Sequence, residues 1–270
     1  MIILRYVLAI LSLGAFSCSS WAQSNLKLKE RPFVLGSVNE LYSTILHEKR
    51  TLNIYLPEGY GLNDTVRYPV IYLLDGSANE DFVHIVGLVQ FFNMMEMMPK
   101  SIVVGISNVD RKRDFTFPTT IKEDREKYPT TGGSKSFIRF IEKELQPFIK
   151  RYYRANANNT IIGQSLGGLV ATEILFKKPS LFNTYIIVSP SLWWDKESLL
   201  DVKRSENILP KTRVFVTVGK EGDMMENDAK TLVELLKKDN ELTTEFHYMP
   251  DEDHATILHH AVYDAFNYLY

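Results

Sequence analysis

From about Leu41 to the C-terminus, short unbroken apolar runs alternate with longer segments in which apolar residues recur every three or four positions. That alternation predicts strands and helices wound into a mostly parallel sheet, an α/β architecture with helices on both faces. Strands are expected at Leu41 to His47 and Arg50 to Leu56, as an antiparallel opening hairpin. Further strands are expected at Pro69 to Leu74, Ser101 to Ile106, Asn159 to Gly163, Tyr185 to Val188, Val214 to Val218 and Thr243 to Met249. The unbroken runs suit strands covered on both sides. Helical periods cover Glu80 to Met98, Ser134 to Tyr153, Leu166 to Phe176, Met225 to Lys238 and Ala255 to Tyr270. The polar stretch 107–133 is long for a plain connection and is a candidate active-site loop.

The N-terminus departs from this pattern. Arg5 precedes an apolar run from Val7 to Phe16, and small polar residues follow up to Ser20-Trp21-Ala22. This is the order of a secretory leader, with cleavage expected after Ala22 and a mature chain from Gln23. The apolar run is about half of the roughly twenty residues that a membrane span needs. The expected organisation is a leader over 1–22, a lead-in over 23–40 and one domain over 41–270. A secreted or periplasmic location follows, without stable membrane insertion after cleavage. Cys18 is the only cysteine; a lipoprotein cut there is the weaker alternative because Phe16 is large. Cleavage at Ala22 leaves no cysteine, so the nucleophile must be oxygen or nitrogen.

Of the 270 residues, 45% are hydrophobic and 24% charged, enough for one sizeable core, and the net charge is −2. Lysine and arginine are dispersed, so there is no electrostatic footprint for nucleic acid.

Between a predicted strand and a predicted helix stands Gly163-Gln164-Ser165-Leu166-Gly167-Gly168. A G-x-S-x-G match in that context is a sharp turn that exposes a serine hydroxyl, with small residues where strand and helix approach. The hydroxyl needs a base and a carboxylate to orient that base, in the chain order serine, acid, histidine. His254, in the loop after the last strand, is the expected base, whereas His247, His259 and His260 lie within elements. Glu221 and Asp223 both qualify as the acid by position. The oxyanion is expected to meet the backbone N–H of Leu166 and a second N–H at Gly76 or Ser77. His260 and Asp264 are spaced for one metal ion, but two ligands on a surface helix rarely bind one, so neither a metal nor a cofactor is expected.

The segments Asn53 to Tyr60, Tyr68 to Gly76, Gly163 to Gly168 and Ser189-Pro190-Ser191-Leu192-Trp193-Trp194 together resemble the Putative esterase family of α/β hydrolases. That family includes esterase D, feruloyl and acetyl-xylan esterases, mycolyltransferases and enterobactin-type siderophore esterases. The resemblance implies an α/β-hydrolase fold and a serine, acid, histidine triad that falls on Ser165 and His254. Its siderophore-esterase branch has a glutamate after this strand and a methionine four residues later, which Glu221 and Met225 match and which makes Glu221 the first choice. Asp75 stands where many α/β hydrolases have histidine. Trp193 and Trp194 are candidates to line the substrate pocket, with core filling as the alternative for either. Arg111, Arg113 and Asp114 in the long loop are further candidates for substrate contact.

The expected function is hydrolysis of a carboxylic ester through an acyl-enzyme, on a small-molecule or glycan-linked substrate. Siderophore-type esters are slightly favoured by the Glu221 region. Acyl transfer on the same triad and a non-catalytic ligand-binding module are the alternatives.

Overall fold

The computed structural model describes residues 29–61 and 65–270, so the leader, its cleavage point and Cys18 lie outside the described residues. Residues 35–270 form one compact unit. Its strands are β1 (Ser37–Ser43), β2 (Glu48–Tyr55), β3 (Tyr68–Leu73), β4 (Ile102–Ile106), β5 (Ala155–Gln164), β6 (Thr184–Val188), β7 (Thr212–Gly219) and β8 (Leu242–Met249). They form one sheet in the order β1-β2-β4-β3-β5-β6-β7-β8. Only the β1–β2 and β2–β4 pairs are antiparallel. This is the α/β-hydrolase arrangement expected from the sequence.

The helices are α1 (Phe82–Met94), α2 (Arg111–Phe115), α3 (Lys122–Lys127), α4 (Ser134–Phe140), α5 (Gln146–Tyr152), α6 (Leu166–Lys177), α7 (Asp223–Lys237) and α8 (Ile257–Leu269). Because successive strand residues point to opposite faces, β3 feeds two cores. Val70 and Tyr72 pack with residues of α4, α6 and α7, while Ile71 and Leu73 pack with residues of α1 and α8. Helix α6 is buried from Gly167 through Phe176, and its one buried carboxylate, Glu173, pairs with Lys177 at 2.7 Å. Helix α8 buries Ile257, Leu258, Ala261, Val262, Ala265, Phe266 and Leu269 and leaves its other face to solvent.

Three departures from the sequence reading have identifiable causes. First, β1 ends at Ser43 rather than running to His47. The Glu144 carboxylate accepts the backbone N–H groups of Thr44 (2.9 Å) and Ile45 (3.2 Å) and the Ser43 hydroxyl (2.5 Å), so those donors leave the strand ladder. Second, the single helix expected over 134–153 widens into a π turn at Ile141–Leu145, where the Gln146 N–H bonds to Ile141 O. Pro147 follows, and a proline ring inside a helix clashes with the carbonyl four residues earlier. Third, β5 begins at Ala155 because its polar residues Asn156, Asn158 and Asn159 lie toward its exposed start, where an apolar run is not required.

The long connection after β4 contains α2 and α3 and is tied down by charge. Arg50 on β2 is fully buried and bonds to Asp114 (2.6 Å), Glu48 (2.9 Å) and Ser107 O (3.0 Å). Arg113 bonds to Glu48 and Asp114 in the same network. Burial alone would raise the pKa of Glu48, but the two guanidinium groups outweigh it and hold the carboxyl below its ordinary value. Arg113 and Asp114, candidates for substrate contact by sequence, are therefore structural: their partners are each other and β2. Asp114→Ala leaves the buried Arg50 short of a carboxylate and is expected to lower the unfolding free energy by about 3 kcal/mol, measured by urea denaturation. A change below about 0.5 kcal/mol, the level of ordinary surface substitutions, would show that the network does not hold the loop.

Candidate active site

The carboxyl ends of β3, β5, β6, β7 and β8 deliver Asp75, Ser165, Ser189, Glu221 and His254 to one crest of the sheet, where open α/β sheets place their reacting groups. Ser165 sits between β5 and α6 at φ 60°, ψ −121°, a conformation that costs a non-glycine residue about 1–3 kcal/mol. It persists because its neighbours hold it from both sides. Its N–H bonds to Val188 O (3.0 Å), and its carbonyl accepts from Leu169 (2.9 Å) and Ser191 (3.0 Å). Glycine at 163 is required, since a Cβ there would lie 2.4 Å from the carbonyl oxygen of Gly167.

His254 Nδ1 donates to Glu221 Oε2. Glu221 Oε1 accepts from the Ser189 hydroxyl and from the Gly219 N–H (3.2 Å). A carboxylate can only accept, so Nδ1 carries the proton and Nε2 is left as the basic nitrogen. The loop is also held by Gln164, whose amide donates to His254 O. Asp223 is the first, exposed residue of α7, and among the described residues no hydrogen bond joins it to His254. Of the two acids left open by position, the structure brings Glu221 to the imidazole. Among the described residues no hydrogen bond joins His254 to Ser165, whose Oγ lies 3.3 Å from Ser191 Oγ. Catalytic contacts commonly tighten only when substrate binds.

The N–H groups expected to receive an oxyanion differ in availability. That of Gly76 is engaged with Ile106 O at 3.0 Å, whereas among the described residues those of Ser77 and Leu166 donate no hydrogen bond. The indoles separate as well. Trp193 is 37% exposed, but Trp194 is 2% exposed and donates its N–H to Phe117 O at 2.8 Å. Trp194 is thus a core residue and not a pocket wall, a correction forced by an indole donor that needs a buried partner.

Arg111 forms a two-point pair with Asp75, Nε to Oδ1 at 2.7 Å and Nη2 to Oδ2 at 2.9 Å, and its Nη2 lies 3.4 Å from Gln164 O. Asn108 also donates to Asp75 Oδ1 (2.6 Å). Arg111 therefore links the Asp75 turn to the serine turn. His260 Nδ1 is taken by Glu252 while Asp264 lies 3.6 Å from His247, so the spacing of His260 and Asp264 forms no joint site. Sequence reasoning missed Ser189 and Gln164 as supports, although both lie inside segments that carried the family resemblance.

Burial alone would raise the pKa of Glu221, but the hydrogen bonds from His254 and Ser189, the His254 charge and the Gly219 N–H outweigh it and hold the carboxyl below 4.5. A depressed folded pKa contributes stability above the unfolded value that is lost as pH falls through the folded one. On acidification below about pH 4.5, the wild type is expected to lose more unfolding free energy than Glu221→Gln. Parallel stability curves for the two proteins would contradict this.

A family model described as Putative esterase matches residues 43–263. The ferri-bacillibactin esterase BesA of Bacillus subtilis is 31% identical over 242 residues, covering 78% of this chain and 82% of that protein. An IroE-like serine hydrolase from Shewanella oneidensis superposes with a TM-score of 0.79 at 32% identity, over 87% of this chain and 79% of that one. The BES protein of Bacillus cereus superposes with a TM-score of 0.79 at 28% identity, over 91% of this chain and 99% of that one.

Proposed function

Because the chain belongs to the Putative esterase family and is a carboxylic-ester hydrolase, we propose that Ser165, His254 and Glu221 are its catalytic triad and that its substrates are siderophore-type esters. The observation that carries the triad is the convergence on one crest of a strained, outward-turned serine and an imidazole held at Nδ1 by a buried carboxylate. Ser165 Oγ attacks the ester carbonyl while His254 Nε2 takes its proton, and Glu221 fixes the tautomer and balances the imidazolium. The tetrahedral oxyanion is received by the N–H of Leu166, at the start of α6 where the helix dipole favours negative charge, and by the N–H of Ser77, in the turn after β3. The protonated imidazole returns its proton to the leaving alcohol, and a water activated by the same nitrogen releases the acid. Hydrolysis is favoured over acyl transfer because the His254 side chain is 48% exposed on an open crest, where water reaches the acyl-enzyme.

The siderophore reading is supported by the relative named a ferri-bacillibactin esterase. The relatives lend no support to a glycan-linked substrate. The exposed Trp193, two residues beyond Ser191, offers a flat face to an aromatic acyl group. We also place the site of action outside the cytoplasm, on the leader pattern of residues 1–22; N-terminal sequencing of the exported protein is expected to start at Gln23.

Ser165→Ala is expected to abolish both turnover and labelling by a fluorophosphonate. Glu221→Gln, which presents a donor where Nδ1–H needs an acceptor, is expected to lower kcat by about 10⁴, while Asp223→Asn leaves it unchanged. Loss of activity in Asp223→Asn with a retained rate in Glu221→Gln would reverse the assignment of the acid. In a comparison of catecholate trilactone, feruloyl and p-nitrophenyl esters, the highest kcat/KM is expected for the trilactone. Preference for a feruloyl ester would overturn the substrate reading while leaving the triad intact.

A further inference from the structure

Two imidazoles meet on the α1–α8 side of the sheet, outside the triad. His84 on α1 and His259 on α8 place their Nδ1 atoms 3.3 Å apart, with ring planes inclined at 41°. Two imidazole nitrogens bound at 2.0–2.1 Å to one tetrahedral metal ion stand about 3.3 Å from each other, which matches the observed separation. The helices that carry them are locked together. Phe92 of α1 packs edge-on against Tyr263 and Phe266 of α8, with ring centroids 5.2 Å and 5.4 Å apart.

Asp81 supplies the second observation. Its Oδ1 lies 3.2 Å from the other ring nitrogen of His84, Nε2. The carboxylate accepts, so Nε2 carries the proton and Nδ1 turns a lone pair toward His259. A carboxylate behind a histidine, with the opposite nitrogen facing outward, is the usual support of a metal-bound imidazole. An ion between the two rings would be met by the Nδ1 lone pair of His259 in its Nε2–H tautomer. His260 does not join it, because its Nδ1 is engaged with Glu252.

We propose that His84 and His259 bind one divalent transition-metal ion of the zinc, nickel or copper class, with Asp81 as the outer carboxylate and water in the remaining positions. Imidazole nitrogen selects this class over magnesium and calcium, which take oxygen ligands. The ion would join two segments that lead to the active site. Helix α1 follows the Ser77 turn, and the Asp81 N–H bonds to Asp75 O (3.2 Å); α8 follows the His254 loop. The competing description is a plain Nδ1–H to Nδ1 hydrogen bond, which predicts no metal affinity.

The test is calorimetric titration of chelator-stripped, untagged full-length protein with zinc chloride, beside His84→Ala, His259→Ala, Asp81→Asn and His260→Ala. One zinc equivalent is expected to bind the wild type and His260→Ala alike and to be lost in His84→Ala and His259→Ala. Asp81→Asn is expected to weaken it by about 10–100-fold. With copper(II) in place of zinc, electron paramagnetic resonance is expected to show two coupled nitrogens that fall to one in either histidine variant. Ester hydrolysis by all metal-free variants at the wild-type rate would show that they are folded, independently of the triad assignment. Absence of zinc binding by the wild type, or binding that survives His259→Ala unchanged, would overturn the proposal.

Discussion

The close approach of β5 to α6 is the constraint on which the site depends. A Cβ at Gly163 would stand 2.4 Å from Gly167 O, and one at Gly168 would stand 2.9 Å from the Pro190 Cα. Only a turn without side chains at these points lets the chain reverse from strand to helix in one residue, and that residue must then take a left-handed φ. The strain is local. It is opposed by the hydrogen bonds between Ser165 and Val188, Leu169 and Ser191, so β6 and the segment after it serve as the brace of the serine turn. At the same turn the first N–H of α6, that of Leu166, donates no hydrogen bond among the described residues.

Around that turn the other groups are held by hydrogen bonds whose partners come from neighbouring strands. Ser189, beyond β6, holds Glu221, beyond β7; Glu221 holds His254, beyond β8; and Gln164, at the end of β5, holds the backbone of His254. From Ser189 to His254 each link is thus supplied by the next strand in the sheet, and Gln164 ties the far end of that chain back to β5. On the opposite flank, Asp75 and Arg111 join the turn after β3 to the long connection. The buried Arg50, Glu48 and Asp114 group then fixes that connection to β2. Ionic groups buried this way are expensive to leave unpaired, which explains why a stretch so polar in sequence is ordered.

The α1–α8 layer has a different character. Its core is aromatic and aliphatic, with Phe92 at the centre of three edge-on ring contacts, and its polar rim carries the facing imidazoles. Rigid packing beneath the rim converts a coincidence of two exposed side chains into a defined nitrogen separation.

Much of this was legible in the sequence because it is local. Mostly apolar runs fixed β3, β4, β6 and β7, since a strand covered on both faces favours apolar residues on each. The glycine spacing identified the serine turn, since its steric demand is met by adjacent residues, and the loop position of His254 followed from the strand before it. Where the demand comes from a distant partner, the sequence was silent or ambiguous. The end of β1 depends on Glu144, about a hundred residues away. The roles of Arg113, Asp114 and Trp194 depend on β2 and on Phe117 O. The choice between Glu221 and Asp223 depends on which carboxylate the sheet carries to the imidazole, which spacing along the chain does not encode. The sequence by itself determined the periodicities and the turn that carries Ser165. The tertiary structure alone decided which charges pair, because hydrogen bonds of fixed length select partners in space and not by order along the chain.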